Sequence, residues 1–288
     1  MKLDVKSVTL GDIDIAYLEQ GEGRLIVCLH GFPDTAYSWQ PLMERLANDG
    51  YRVVAPFLRG YAPSGLAPDG NYEGAANVRD ITRLHEALGG DSDAILIGED
   101  VGAAVAYTSA AAEPDRWSRI VGMSTPPRPF ELAEFLTYDQ LKRSWYPFFF
   151  QMDMAPAVLA LNDFEIIRGL WETWAPDFDT TPWSARAVDA LRGDGNRLAA
   201  VSWYRHVLNP PDDPELARER ALVGAYWKQP TLYFHGVNDQ CVPVALPRAA
   251  HDQFQDGTVF HYLDGVGHFP HVEAPERVHS LFTEWMAS

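Results

Sequence analysis

The 288-residue chain has only two cysteines, Cys28 and Cys241, which excludes a disulfide framework and a cysteine-rich metal site. No stretch approaches the roughly 18 apolar residues that a membrane helix needs. The amino-terminal segment carries charges where a secretion signal needs an apolar run. Basic residues are also few, because 23 lysines and arginines stand against 40 aspartates and glutamates, a net charge of −17. This balance argues against nucleic acid and anionic membranes as partners. Because the two cysteines form no disulfide framework, we expect a protein of the reducing cytoplasm.

Signals for cofactors are missing as well. Gly21-x-Gly23 precedes a predicted strand instead of following one, so no nucleotide cofactor is expected. The histidines lack metal-ligand spacing, and we expect no metal. What the chain does have is 47% hydrophobic and 12% aromatic residues, enough for the core of one globular domain with an inserted subdomain.

Apolar runs alternate with helical patterns in residues 1–125 and 224–288, which predicts an α/β core domain with a mostly parallel, eight-stranded sheet flanked by helices. Continuous apolar runs such as Leu25–Leu29 are typical of parallel strands that are buried on both faces. The predicted strands are Lys2–Thr9, Asp12–Glu19, Leu25–Leu29, Arg52–Phe57, Asp93–Ile97, Arg119–Met123, Thr231–His235 and Val259–Tyr262. The predicted helices of this core are Tyr37–Ala47, Tyr72–Leu88, Val101–Ala112 and Pro275–Met286.

The alternation breaks at Pro126-Pro127-x-Pro129. Residues 126–223 are helical in pattern, rich in aromatics and without a good buried strand. Five of the nine tryptophans of the chain lie in this segment: Trp145, Trp171, Trp174, Trp183 and Trp203. We predict a helical lid, inserted after the sixth strand.

One turn in the core carries a chemical signal. Gly98-x-Asp100-x-Gly102 lies between an apolar strand and an alanine-rich helix, which is the setting of the nucleophile turn in the α/β-hydrolase fold. A carboxylate gains little by attacking an ester carbonyl, but it can displace a leaving group at a saturated carbon and form a covalent alkyl ester. Asp100 as nucleophile therefore favours epoxides and alkyl halides as substrates.

Two further residues follow the nucleophile in the chain order acid, then histidine, which is typical of this fold. Asp239 follows the strand Thr231–His235, and His268 lies in the loop before the last helix. We predict that His268 activates water to hydrolyse the ester and that Asp239 orients it. The backbone N–H groups of Phe32 and Val101 are the expected oxyanion hole.

These residues resemble the epoxide hydrolase and haloalkane dehalogenase branch of the α/β-hydrolase family over nearly the whole chain. The run Arg59-Gly60-Tyr61-Ala62-Pro63-Ser64 is similar to an Arg-Gly-Tyr-Gly-x-Ser run of that branch. Epoxide hydrolases of the branch bind the ring oxygen with two lid tyrosines. The resemblance assigns these roles to Tyr146, five residues before Gln151, and to Tyr204 in a Trp-Tyr-Arg segment. We also expect a substrate site lined by Trp39, Phe150, Trp203 and Phe269.

Haloalkane dehalogenases commonly have tryptophan directly after the nucleophile and asparagine in the His-Gly turn, where this chain has Val101 and Phe32. Fluoroacetate dehalogenases have arginines at the first and fourth positions after the nucleophile, here Val101 and Ala104. The resemblance therefore implies a cofactor-independent epoxide hydrolase that acts on a small-molecule epoxide and water, with a homo-oligomer left open. A dehalogenase on the same scaffold is the alternative.

Glu99 departs from the Gly-His-Asp-Trp-Gly pattern of these epoxide hydrolases. Pointing inward, its carboxylate would repel Asp100 and weaken it as a nucleophile, so we expect it to point away. Its presence leaves open a second alternative, a catalytically silent hydrolase fold that serves as a binding protein.

Overall fold

The computed structural model describes residues 3–127, 133 and 136–288. Its strands are β1 (Lys6–Leu10), β2 (Ile13–Gln20), β3 (Arg24–Leu29), β4 (Tyr51–Pro56), β5 (Ile95–Glu99), β6 (Arg119–Met123), β7 (Thr231–Gly236) and β8 (Val259–Leu263). They form a single sheet in the order β1-β2-β4-β3-β5-β6-β7-β8. The pairs β1–β2 and β2–β4 are antiparallel, and the other five pairs are parallel. The prediction of a mostly parallel eight-stranded sheet is confirmed.

Helices accompany the core strands and fill the connection between β6 and β7. The core helices are Gln40–Asn48, Gly74–Ala87, Val101–Ala112, Ala245–Ala249, Pro270–Glu273 and Pro275–Met286. The helices between β6 and β7 are Tyr138–Arg143, Trp145–Phe149, Ala155–Val158, Glu165–Trp174, Thr181–Ala190, Asp194–Leu208 and Ala217–Ala221. Short 3-10 helices cover Ala36–Trp39, Pro214–Leu216 and His251–Gln253.

In the described residues, the segment predicted as a lid consists of helices joined by turns and loops, with no strand between β6 and β7. Pro129, at the predicted start of the lid, lies outside the described residues, as does Lys2, where the first strand was expected to begin. The division into a core and a lid at residues 126 and 223 stays a prediction. None of the described helices has the length and apolarity needed to cross a bilayer.

Strand register brings the candidate residues to one edge of the sheet. Leu29, the last residue of β3, pairs with Gly98 of β5, and Glu99 pairs with Met123 at the end of β6. Every residue of β5 and β7 is buried, as expected for parallel strands covered on both faces. Because parallel strands end at a common edge, the loops that follow β3, β5, β7 and β8 meet there, and ligands of open α/β sheets bind at this edge.

Candidate active site

Asp100 occupies a sharp turn between β5 and the helix Val101–Ala112. Its backbone has φ 51° and ψ −119°, a strained conformation for a residue with a side chain. The two glycines of the motif permit this close packing. A Cβ added at Gly98 would lie 2.2 Å from the carbonyl oxygen of Gly102, and one added at Gly102 would lie 2.3 Å from that of Leu29. The local sequence therefore folds into an elbow that presents the carboxylate at the strand end.

A backbone donor faces this carboxylate. The N–H of Phe32 donates to Asp100 Oδ1 over 3.0 Å. Val101 is the first residue of its helix, so its N–H has no acceptor within that helix. The loop after β3 thus brings one of the two predicted oxyanion donors against the nucleophile, and the helix start supplies the other beside it.

His268 and Asp239 meet as the sequence predicts. Nδ1 of His268 lies 2.9 Å from Asp239 Oδ2, and its Nε2 lies 3.5 Å from Asp100 Oδ2. The backbone N–H groups of Cys241 and Val242 donate to Asp239 Oδ1 over 2.7 and 2.9 Å, which fixes the acid. Burial disfavours the imidazolium, but the carboxylates of Asp239 and Asp100 raise the pKa of His268 well above its usual value.

The expectation that Glu99 points away from the site is wrong. Its side chain is fully buried, and Oε1 lies 3.4 Å from Nε2 of His268. Burial raises the pKa of Glu99 well above its usual range, against the opposing charge of His268, and the charge of Asp100 raises it further. The physical reason is that β5 extends to Glu99, so this side chain leaves a strand that is buried on both faces and has no solvent side to turn to.

Both predicted tyrosines lie above this edge. Tyr146 and Tyr204 contact each other edge-to-face with ring centroids 5.4 Å apart, and each ring packs against Phe32. The Tyr146 hydroxyl lies 3.7 Å from Sγ of Cys241, and that sulfur lies within 4.8 Å of an oxygen of Asp100. The Tyr204 hydroxyl is buried and has no hydrogen-bond partner among the described residues. Burial, and then the charge of Asp100, raises the pKa of Tyr204 well above its usual value.

Burial likewise raises the pKa of Tyr146, and Cys241, Tyr204 and Asp100 raise this pKa further, in that order. Both phenols therefore stay protonated at neutral pH. A phenol in this state keeps its proton until a strong base, such as an alkoxide, is formed beside it.

Two residues to which the sequence assigned no role connect the segment of Tyr146 with the segment of Tyr204. Gln151 Nε2 donates to the carbonyl oxygens of Pro147 and Tyr204. Arg205 donates to the carbonyl oxygens of Phe150 and Met152, both over 2.8 Å. The signal was present in the sequence, because Gln151 and Arg205 belong to the same two segments that nominated the tyrosines.

The four predicted substrate-binding residues have different surroundings. Phe150 packs on Phe32 and on both tyrosines, and Trp203 lines a narrow cavity together with Phe32 and Val101. The volume of that cavity is about 10 Å³, enough for one water molecule.

The other two are buried deeper. Phe269 stacks on Trp171 and touches the ring of His268 edge-on. Trp39 stacks on His271 with its ring fully buried. For these two residues the contacts are those of core packing.

The buried side chains at this edge do not favour the binding of a metal ion. Within residues 3–127, 133 and 136–288, one group of potential ligands comes together, Asp100, Cys241 and His268. Burial raises the pKa of the Cys241 thiol, so the sulfur stays protonated and is a poor ligand. The arrangement can instead perform nucleophilic displacement by a carboxylate, followed by hydrolysis assisted by the histidine.

Known proteins are similar to this chain in sequence and in architecture. The family model of the alpha/beta hydrolase fold matches residues 24–275. Epoxide hydrolase 4 of Homo sapiens is 33% identical over 278 residues, 92% of this chain and 73% of that protein. The AB hydrolase superfamily protein YfhM of Bacillus subtilis is 27% identical over 284 residues, 95% of this chain and 94% of that protein.

Among solved structures, a candidate epoxide hydrolase from Klebsiella pneumoniae subsp. pneumoniae superimposes with a TM-score of 0.84 at 26% identity, covering 97% of this chain and 96% of that one. The chain therefore belongs to the α/β-hydrolase fold family, in the group that contains the epoxide hydrolases.

Proposed function

We propose that this α/β hydrolase opens epoxides to vicinal diols through a covalent alkyl ester on Asp100. In the first step the hydroxyls of Tyr146 and Tyr204 donate hydrogen bonds to the ring oxygen. A carboxylate oxygen of Asp100 attacks a ring carbon, the carbon–oxygen bond of the ring breaks, and a phenol protonates the alkoxide that leaves.

In the second step His268 takes a proton from water, and the water oxygen attacks the carboxyl carbon of Asp100. The N–H groups of Phe32 and Val101 stabilise the oxyanion of the tetrahedral intermediate. The ester bond then breaks, and the departing alkoxide takes up the proton from His268 to complete the diol. The water oxygen stays on Asp100 as part of a carboxylic acid, whose proton makes up for the one that the phenol gave in the first step. Asp239 keeps the imidazole in the tautomer that leaves Nε2 free to act as a base.

The observation that carries this proposal is the pair of buried phenols above an aspartate in the elbow. An alkoxide is a poor leaving group unless an acid meets it, and two protonated tyrosines that feel the charge of Asp100 are suited to that task. A halide needs no proton, so the dehalogenase alternative leaves the two hydroxyls without a purpose. Relatives named epoxide hydrolase support the same assignment.

The source of the diol oxygen tests the covalent mechanism. A single turnover of styrene oxide in oxygen-18 water, with enzyme in excess, should give a mostly unlabelled diol, because the first oxygen transferred comes from Asp100. A fully labelled diol would contradict the covalent mechanism. Bromoalkanes tested in parallel address the alternative, since bromide release without epoxide turnover would replace the proposal with a dehalogenase.

Trapping the intermediate gives an independent readout. The His268→Gln variant lacks the base for the second step, so incubation with styrene oxide should accumulate a mass adduct on Asp100. A binding protein of this fold would show no adduct with either the variant or the parent chain.

A further inference from the structure

Glu99 is a buried acid beside the catalytic histidine that has no role in the mechanism above. Neither of its carboxyl oxygens has a hydrogen-bond partner among the described residues, although the side chain is fully buried. Burying a carboxyl group without a hydrogen bond is unfavourable for folding. Because Glu99 is unfavourable for folding and lies beside the catalytic histidine, we expect it to have a function.

Nε2 of His268 lies between two carboxyl groups at nearly equal distances. Oε1 of Glu99 is 3.4 Å away and Oδ2 of Asp100 is 3.5 Å away. Glu99 also feels the negative charges of Asp34 and Asp239. In the free enzyme burial raises the pKa of Glu99, and a charged His268 lowers it. The anions Asp100, Asp34 and Asp239 raise it, so that on balance the neutral form is favoured, which does not repel the nucleophile.

Alkylation changes this balance. Once Asp100 is an ester it carries no charge, and His268 loses the anion facing Nε2 just before it must become an imidazolium. The same event removes one of the anions that hold Glu99 neutral. Asp239 remains, but it faces the other nitrogen, Nδ1.

We propose that Glu99 is the anion that stabilises the His268 imidazolium while Asp100 is esterified. This inference rests on the proposed function. One negative charge then stays beside Nε2 throughout the cycle, on Asp100 in the free enzyme and on Glu99 in the alkyl-enzyme. Glu99 is a positioning residue in this scheme, because it acts through His268 and does not touch the substrate.

The protons balance in this scheme. Ring opening consumes one proton at the alkoxide, which a phenol donates, and the proton that leaves Glu99 replaces the phenol's. In hydrolysis the water proton passes to His268 and then to the departing alkoxide. Asp100 is released as a carboxylic acid, and its proton returns to Glu99, which restores the starting state.

The Glu99→Gln variant tests the proposal, because glutamine keeps the shape and cannot become an anion. Single-turnover kinetics with styrene oxide separate the formation of the Asp100 adduct from its breakdown, both followed by mass spectrometry. We expect formation at the parent rate and breakdown about 100-fold slower, the loss that follows removal of one preorganised electrostatic group. The matched control is Glu22→Gln, the same substitution at an exposed position, which should leave both rates unchanged.

The Glu99→Asp variant gives a second, independent outcome. It keeps the charge on a shorter side chain and should break down the adduct much faster than the glutamine variant. Equal slowing of both half-reactions by Glu99→Gln, no slowing at all, or breakdown as slow with aspartate as with glutamine would each overturn the proposal. Failure of the proposed function looks different, because His268→Gln would then form no adduct.

Discussion

At the scale of single residues, Asp239 decides which nitrogen of His268 is free. Its carboxylate accepts the proton on Nδ1, and an amide at the same place could donate to that nitrogen instead. We expect Asp239→Asn to slow ester hydrolysis by about 100- to 10,000-fold, because the wrong tautomer presents no base at Nε2. Adduct formation should persist, and accumulation of the alkyl-enzyme by mass spectrometry checks this. The exposed Asp264→Asn is the control, and normal hydrolysis by Asp239→Asn would remove the assigned role.

Tyr146 and Tyr204 should affect the other half-reaction. Replacing either Tyr146 or Tyr204 with phenylalanine removes one donor to the ring oxygen and leaves the packing of the aromatic cluster largely intact. Alkylation is expected to slow about 10- to 100-fold in each single variant and further in the double variant, since each phenol contributes an acid or a hydrogen bond. Stopped-flow measurement of adduct formation tests this, and single variants with unchanged alkylation would show that the phenols serve packing alone.

The residues that sequence reasoning located well are those with a local signature. Asp100 has flanking glycines, and Asp239 and His268 follow strands, so their meeting follows from the topology. The direction of Glu99 had no such signature, because it depends on where β5 ends. The apolar pattern predicted an end at Ile97, whereas pairing with β6 continues through Glu99 ↔ Met123. The surroundings of Trp39 had no local signature either, since its stacking partner His271 lies far away in the chain.

At the scale of the elements, the elbow requires a residue without a side chain at position 102. A methyl group there would meet the backbone of β3, which cannot move as a flexible side chain can. We expect Gly102→Ala to lower the free energy of unfolding by about 1–3 kcal/mol, the usual cost of overpacking, and to misplace Asp100. Urea unfolding and alkylation rates measure the two effects.

Gly169 provides the matched control in the helix Glu165–Trp174. A Cβ at this position meets no atom within 4 Å, and the residue is helical. Gly169→Ala should therefore stabilise the protein by up to about 1 kcal/mol through helix propensity. Loss of stability in both variants would mean that the effect at Gly102 is not specific to the elbow.

The sequence predicts the positions of the individual strands. For the connection between β6 and β7 it predicts helical structure, but not the individual helices. Strands of the core are bounded by turns and read as apolar runs, so their positions agree with the sequence to within a few residues. In the connecting segment, helices such as Trp145–Phe149 and Ala155–Val158 are about one turn long, too short for a helical period to repeat. Periodicity then identifies helical structure without fixing where each short helix starts or which face turns to Asp100.

At the scale of the whole molecule, Glu99 should leave a mark on the pH dependence of stability. Burial raises its pKa in the folded protein, whereas in the unfolded chain it returns to the ordinary value of 4.5. Between these two values the folded state holds a proton that the unfolded state has released. Rising pH therefore lowers the free energy of unfolding, and this contribution to stability is fully present only below the ordinary pKa.

The Glu99→Gln variant has no such proton to lose. Its thermal unfolding midpoint should exceed that of the parent chain, with a difference that widens as the pH rises above the ordinary pKa of 4.5. Glu22→Gln, which removes a charge from an exposed site, corrects for the relief of repulsion in a chain of net charge −17. A difference that shrinks with pH, or one that Glu22→Gln matches, would show that Glu99 is not held neutral in the folded enzyme. A more stable variant that hydrolyses its ester more slowly would mean that this acid is maintained for catalysis at the expense of stability.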